Sequence, residues 1–104
     1  MARGFTHPRI EDITLNEILH ALADPVRRNV VQKLMSGEVL NCSNTCSKLS
    51  PSTVSFHYKI LREAGLVYSE KKGVEVLNTL RSNDVNARFP GLLDAILNCS
   101  KNAP

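Results

Sequence analysis

Ser52, Thr53, Ser55, Phe56, His57 and Lys59 crowd into eight positions of a 104-residue chain, and Lys71-Lys72 follow a dozen residues later. Hydroxyl groups at such positions donate to phosphate oxygens or bond base edges, and an imidazole donates to either. A lysine ammonium neutralises phosphate and supplies affinity rather than sequence information. Phe56 has two readings: packing back under the following strands, taken first, or meeting a thymine methyl. Together these side chains have the chemistry of a surface for double-stranded nucleic acid.

The flanking residues predict a helix that carries them. Ser50 is a good N-cap, and Pro51 at the first helical position loses no hydrogen bond. Val54, Tyr58 or Leu61, and Ala64 recur at helical spacing and mark an inward stripe. Gly65 suits the left-handed residue that ends a helix. This recognition helix, over 50–65, places Ser52, Thr53, Ser55, Phe56, His57 and Lys59 outward.

Two earlier helices are predicted over 14–35, after an N-terminal arm at 1–12. Thr14-Leu15-Asn16-Glu17 is a capping box, with Ile13 and Ile18 placed for a hydrophobic staple. Leu15, Ile18, Leu19 and Leu22 form an apolar stripe. Asp24-Pro25 starts the second helix, whose buried side is Val26, Val30, Val31 and Leu34, and Ser36-Gly37 ends it. Glu38 to Leu49 predicts a short or irregular helix, because its Asn, Ser and Thr compete with their own backbone. A wing follows over 66–80: strands from Leu66 and from Val74, joined by Ser69–Gly73, with Lys71-Lys72 at the tip. Ser82 is read as the cap of a last helical region over 82–99, divided by Pro90, with Leu92, Leu93, Ile96 and Leu97 apolar. The fold class is mainly α with a small β-hairpin: a winged helix-turn-helix of about five helices and a two-stranded wing, in one domain.

The net charge is +3, concentrated in the middle: residues 25–72 hold eight Lys/Arg against three Asp/Glu. A surface for polyanions needs that concentration. No apolar run reaches the roughly 18 residues of a membrane span, and the N-terminus lacks a signal-peptide core, so a cytoplasmic location is expected. Three cysteines, Cys42, Cys46 and Cys99, are a poor basis for a disulfide framework. With no glycine-rich phosphate loop, nucleophile motif or Cys-x-x-Cys, neither catalysis nor a cofactor is expected.

His20-Ala21-Leu22-Ala23-Asp24-Pro25-Val26-Arg27-Arg28, and the run from Ser52 to Val67, resemble the ArsR-type bacterial transcriptional repressors, with their ALADPxRxxIL and STVSxHLKxLREAGLV motifs. Asn86-Ala87-Arg88-Phe89-Pro90-Gly91-Leu92-Leu93-Asp94 is similar to one branch of that family. The resemblance spans roughly residues 14–97. It implies a homodimer joined by first and last helices, bound to a palindromic operator and released by an inducer. The implied dimer face is Leu15, Ile18, Leu19 and Leu22 with Leu92, Leu93, Ile96 and Leu97. Phe56 departs from the cation common in relatives. The family's metal sites use Cys-x-Cys in the third helix or Asp/His residues in the last, and neither pattern stands here. Of Arg27 and Arg28, one is expected to pack and the other to face solvent or phosphate; Arg62-Glu63 is read as a surface pair. Two alternatives stay open: a winged-helix protein-interaction module without DNA binding, and a thiol or metalloid sensor using Cys42, Cys46 and Cys99.

Overall fold

Each of the first three α-helices starts on a side chain that answers its own first turn. In the computed structural model, which describes residues 5–38, 40 and 48–101, Thr14 Oγ1 accepts from the Glu17 N–H at 3.2 Å. Helix α1 follows over Leu15–Ala21, with the staple residues Ile13 and Ile18 both buried. Asp24 Oδ1 accepts from the N–H groups of Val26 (2.7 Å) and Arg27 (3.3 Å) and starts α2, Pro25–Met35. Burial pushes the Asp24 carboxyl up, but those two N–H bonds, with Arg27 and His57 nearby, outweigh it and hold it below its ordinary range. A cap of this kind contributes about 1 kcal/mol. Ser50 Oγ accepts from the Thr53 N–H at 3.3 Å and starts α3, Pro51–Glu63.

Gly65 ends α3 with φ +88°. Its N–H donates to the Arg62 carbonyl and the Leu66 N–H to the Leu61 carbonyl, at 3.1 and 3.0 Å. This pair of bonds is a Schellman motif, which turns the chain sharply out of the helix. The chain then enters β1, Val67–Lys72, antiparallel to β2, Glu75–Leu80, with Val67 opposite Leu80 and Lys72 opposite Glu75. The connection is only Gly73-Val74. Gly73 has φ +63° and Val74 does not have positive φ, the pattern of a type II′ hairpin turn. Lys71 and Lys72 therefore belong to β1 and not to the loop expected for them, and Val74, 99% exposed, forms the tip.

Beyond the wing lie α4, Ser82–Arg88, and α5, Leu92–Lys101, separated around Pro90. Ser82 is the first helical residue rather than the cap. Arg81 holds the cap position without a side-chain cap bond, and instead binds Asp84 at 3.0 Å and the Pro8 carbonyl at 2.8 Å. The irregular helix expected between Glu38 and Leu49 falls largely on 41–47, outside the described residues, as do Cys42 and Cys46.

The core gathers Ile18 and Ala21 from α1, Val30, Val31 and Leu34 from α2, and Val54, Tyr58 and Leu61 from α3. Leu93 and Leu97 of α5 are buried too, as is Leu22 at the end of α1. Half of the expected dimer face is thus interior to one chain. Leu15 and Leu19 remain 44% and 46% exposed, and Leu92 and Ile96 half-buried.

A buried polar row ties the wing to distant segments. Ser69 Oγ donates to Asn78 Oδ1 at 2.6 Å, Asn78 Nδ2 donates to the Leu40 carbonyl at 3.1 Å, and the Leu40 and Asn78 backbones exchange two further bonds. Arg62 Nη1 donates to Ser69 Oγ at 3.0 Å while its guanidinium lies 4.4 Å over the Phe5 ring. Arg62 is therefore turned onto the wing and arm, not out to a surface pair with Glu63. The Ser69 N–H donates to His7 Nε2 at 3.0 Å, and the His7 ring stacks on Tyr68 at 4.4 Å.

Partial burial first, then the charges of Arg81 and Arg62, hold the His7 imidazole below its ordinary value. The folded chain therefore binds this proton less readily than the unfolded chain. The stabilisation is complete above the unfolded value of about 6.5 and is lost as pH falls through the lowered folded one. His7→Gln keeps an acceptor that does not titrate. Thermal unfolding at pH 7.5 and 5.5 is expected to show a smaller pH-dependent loss in this variant than in the wild type.

Candidate nucleic-acid interface

Helix periodicity sorts the residues of α3 into two faces. Val54, Tyr58 and Leu61 are buried against the core, which turns Ser52, Ser55, Phe56 and Lys59 to the outside. Thr53 is exposed beside them. At the start of the helix Ser50 Oγ lies 3.2 Å from Ser52 Oγ and 2.8 Å from Thr53 Oγ1, so three hydroxyls cluster where backbone N–H groups emerge. A helix N-terminus carries partial positive charge, and hydroxyls there complement an anion.

Phe56 is 57% exposed, with its ring edge-on to His57 at 5.8 Å. The expected packing under the wing does not occur, because residue 56 lies on the side of α3 opposite Val54 and Leu61. His57 is the converse case. It is half-buried, and its Nδ1 lies 3.2 Å from Arg27 Nη1. His57 stands three residues after Val54 and four before Leu61, so it borders the inward stripe rather than the outer face.

Arg27 is 7% exposed. Its Nε–H donates to the Ala21 carbonyl at 2.6 Å and Nη2 to the His20 carbonyl at 3.4 Å, closing the end of α1. Arg28 is held as well: Nε donates to Ser100 Oγ at 3.0 Å and Nη1 to the Leu22 carbonyl at 2.9 Å. Both arginines are thus engaged within the chain, where one was expected to face solvent or phosphate. A signal for Arg27 was present in the sequence, since Val30, Val31 and Leu34 stand three, four and seven residues after it.

On the wing, alternation along β1 sends Lys71 and Lys72 to opposite faces. Both are exposed, and Lys72 Nζ lies 3.9 Å from Glu70 Oε1. Val74 at the tip went unnoticed in the sequence because its neighbours read as a strand.

Cys99 is exposed on α5 and lines an open, mostly apolar groove of about 410 Å³ with Leu22, Arg28 and Ile96. Among the described residues no cluster of three His, Cys, Asp or Glu could hold a metal ion. No helix among them is long and apolar enough to cross a membrane.

Comparison with known proteins places these features in a family. A family model described as a helix-turn-helix domain matches residues 22–70, from the end of α1 into β1. The uncharacterized HTH-type transcriptional regulator YceK of Bacillus subtilis is 31% identical over 94 residues, covering 88% of this chain and 94% of the relative. HlyU of Vibrio cholerae superposes with a TM-score of 0.66 at 27% identity, over 81% of this chain and 88% of that one. An ArsR family transcriptional regulator superposes with a TM-score of 0.65 at 23% identity, over 86% of this chain and 98% of that one, a likeness of fold. The chain belongs to the ArsR-type winged helix-turn-helix transcriptional regulators, a repressor-type family whose members bind DNA, commonly dimerise and are not enzymes.

Proposed function

We propose that this chain acts as a homodimeric repressor that binds a palindromic operator and releases it on sensing a signal. The observation that carries the reading is the exposed outer row of α3, with Ser52, Thr53, Ser55, Phe56 and Lys59 beside a wing that carries Lys71 and Lys72. In this reading the N-terminal part of α3 enters the major groove and the two copies of α3 sit about one helical turn, roughly 34 Å, apart. Ser52, Thr53 and Ser55 meet phosphates and base edges. Lys59, Lys71 and Lys72 meet phosphates, one wing lysine from each face of the hairpin. Phe56, exposed and apolar, suits a thymine methyl.

The dimer is joined through α1 and α5. Leu15 and Leu19 lie four residues apart on α1, and each exposes almost half of its surface. The half-buried Leu92 and Ile96 add apolar surface on α5. A two-fold interface repeats one patch on both partners, so these side chains would meet their own copies.

Electrophoretic mobility shift with a fragment from the gene's own promoter region tests the docking. Binding is expected to weaken steeply with salt. In Lys71→Ala with Lys72→Ala the salt slope should become shallower by about 0.9 for each phosphate that is no longer neutralised, on operator and unrelated DNA alike. Ser55→Ala should instead change the preference between related operator sequences. Unchanged shifts in both variants would reject the docking.

A further inference from the structure

The Arg27–His57 contact has a direction fixed by chemistry. A guanidinium has five N–H donors, no acceptor and no accessible neutral form. Across the 3.2 Å between Arg27 Nη1 and His57 Nδ1, the arginine must donate and the histidine must accept. A neutral imidazole has one donor nitrogen and one acceptor nitrogen. With Nδ1 accepting, the ring proton sits on Nε2.

Arg27 is itself held firmly. Its Nε and Nη2 bond the Ala21 and His20 carbonyls at the end of α1, and Asp24 Oδ2 lies 4.0 Å from Nη1. The guanidinium is thus set by α1 and the start of α2, and its last arm reaches across to α3. His57 Nε2 has no hydrogen-bond partner among the described residues, and the ring is only half-buried. The ring edge carrying Nε2 is turned away from Arg27. It therefore supplies a single oriented donor on the flank of α3, set back from the outermost row of Ser52, Phe56 and Lys59.

We infer that Arg27 is a positioning residue for DNA binding: it fixes His57 in the Nε2–H form, and that N–H donates to a phosphate oxygen. A phosphate is the acceptor rather than a base because the half-buried ring borders the inward stripe of α3, away from the outermost row that would face the base edges. This rests on the reading of α3 as the helix that docks on DNA. A buried side chain that touches no DNA thereby determines which atom of the recognition helix does.

Two substitutions at His57 separate the ring nitrogens. The amide nitrogen of glutamine falls near the place of Nε2, and that of asparagine near the place of Nδ1. His57→Gln is expected to bind within about threefold of wild type, and His57→Asn to bind about tenfold more weakly, as for loss of one charge-assisted bond. The loss should be equal on operator and unrelated duplex. Long-range proton–nitrogen correlation on histidine-labelled free protein reads the tautomer directly and needs no DNA. It should show His57 as Nε2–H, and in Arg27→Met, if that variant folds, a mixture of the two forms.

Equal weakening in both His57 variants, tighter binding by the asparagine variant, loss confined to the operator, or an Nδ1–H ring in the free protein would each overturn the inference. Lys59→Ala is the control for the underlying reading. If it weakens binding and the His57 pair does not differ, only the role of Arg27 and His57 fails. If it also has no effect, the docking of α3 fails.

Discussion

Gly65→Ala is expected to be among the most damaging single substitutions in this chain, although it adds only one methyl group. Two costs coincide at this position. The first is conformational: φ is +88°, where an L side chain crowds its own backbone at about 1–2 kcal/mol. The second is steric. A Cβ built on Gly65 would lie 2.5 Å from Ile13 Cγ1 and 2.7 Å from Ile13 Cδ1. Ile13 is 1% exposed and forms half of the staple that starts α1, so it has little room to retreat. Overpacking of this kind costs about 1–3 kcal/mol. The sum is a large part of the roughly 5–15 kcal/mol typical of a whole domain. Thermal unfolding should show a fall in Tm of roughly 10–40 °C, from the usual ~4–8 °C per kcal/mol at this size. Gly37→Ala is the comparison, since its φ is +96° but a Cβ there meets nothing within 4 Å. A clearly smaller loss at residue 37 would isolate the steric part.

Leu15→Glu with Leu19→Glu should have the largest effect on DNA binding while sparing the fold. Both side chains are nearly half exposed in the single chain, so the substitution opens no core cavity. In the proposed dimer it sets four carboxylates into an apolar contact, where unpaired charge is strongly disfavoured. Sedimentation or light scattering should report a monomer. Operator affinity should fall by about 10²-fold or more, because the linked second half-site supplies that order of advantage. A variant that stays dimeric would move the interface away from α1. Ile18→Glu and Leu22→Glu are not equivalent tests, since those side chains are buried in the core of one chain.

That distinction shows where sequence reading succeeded and where it ran out. The caps at Thr14, Asp24 and Ser50 were legible because a cap is a local event, decided within four residues. The left-handed glycine after α3 was legible for the same reason, and with the two strands these signals made the winged fold readable. The apolar stripes of α1 and α5 were also visible, but a stripe does not say which protein it faces. Ile18 and Leu22 face inward and Leu15 and Leu19 outward, a difference of one helical step that only packing decides.

On the candidate interface, the outward set Ser52, Ser55 and Lys59 followed from the period of α3. His57 and Phe56 were harder, because chemical type and helical phase disagree there. The imidazole borders the inner face and the phenyl lies outside, the reverse of what polarity alone suggests. Arg62 was misread because its partner Ser69 lies beyond the end of its own helix, and helical neighbours alone suggested Glu63. The wing tip was misplaced by two residues, since Lys71-Lys72 has low strand preference and only the register between β1 and β2 overrides it. Cys42 and Cys46 fall outside the described residues, so the reading of these thiols as a sensor with Cys99 stays a proposal.

The row through Ser69 and Asn78 also bears on how this protein keeps to itself. A two-stranded hairpin has two outer borders, and bare backbone there recruits strands from other molecules. Here the β2 border is taken by Leu40, 38 residues before Asn78, and the β1 border by His7, 62 residues before Ser69. Both stoppers come from the same chain, and both precede the hairpin in it. A nascent chain therefore has them made before the strands that need them. Removing the arm would free the Ser69 N–H on the outer border of β1, and the truncated chain is expected to self-associate, as size-exclusion chromatography would report.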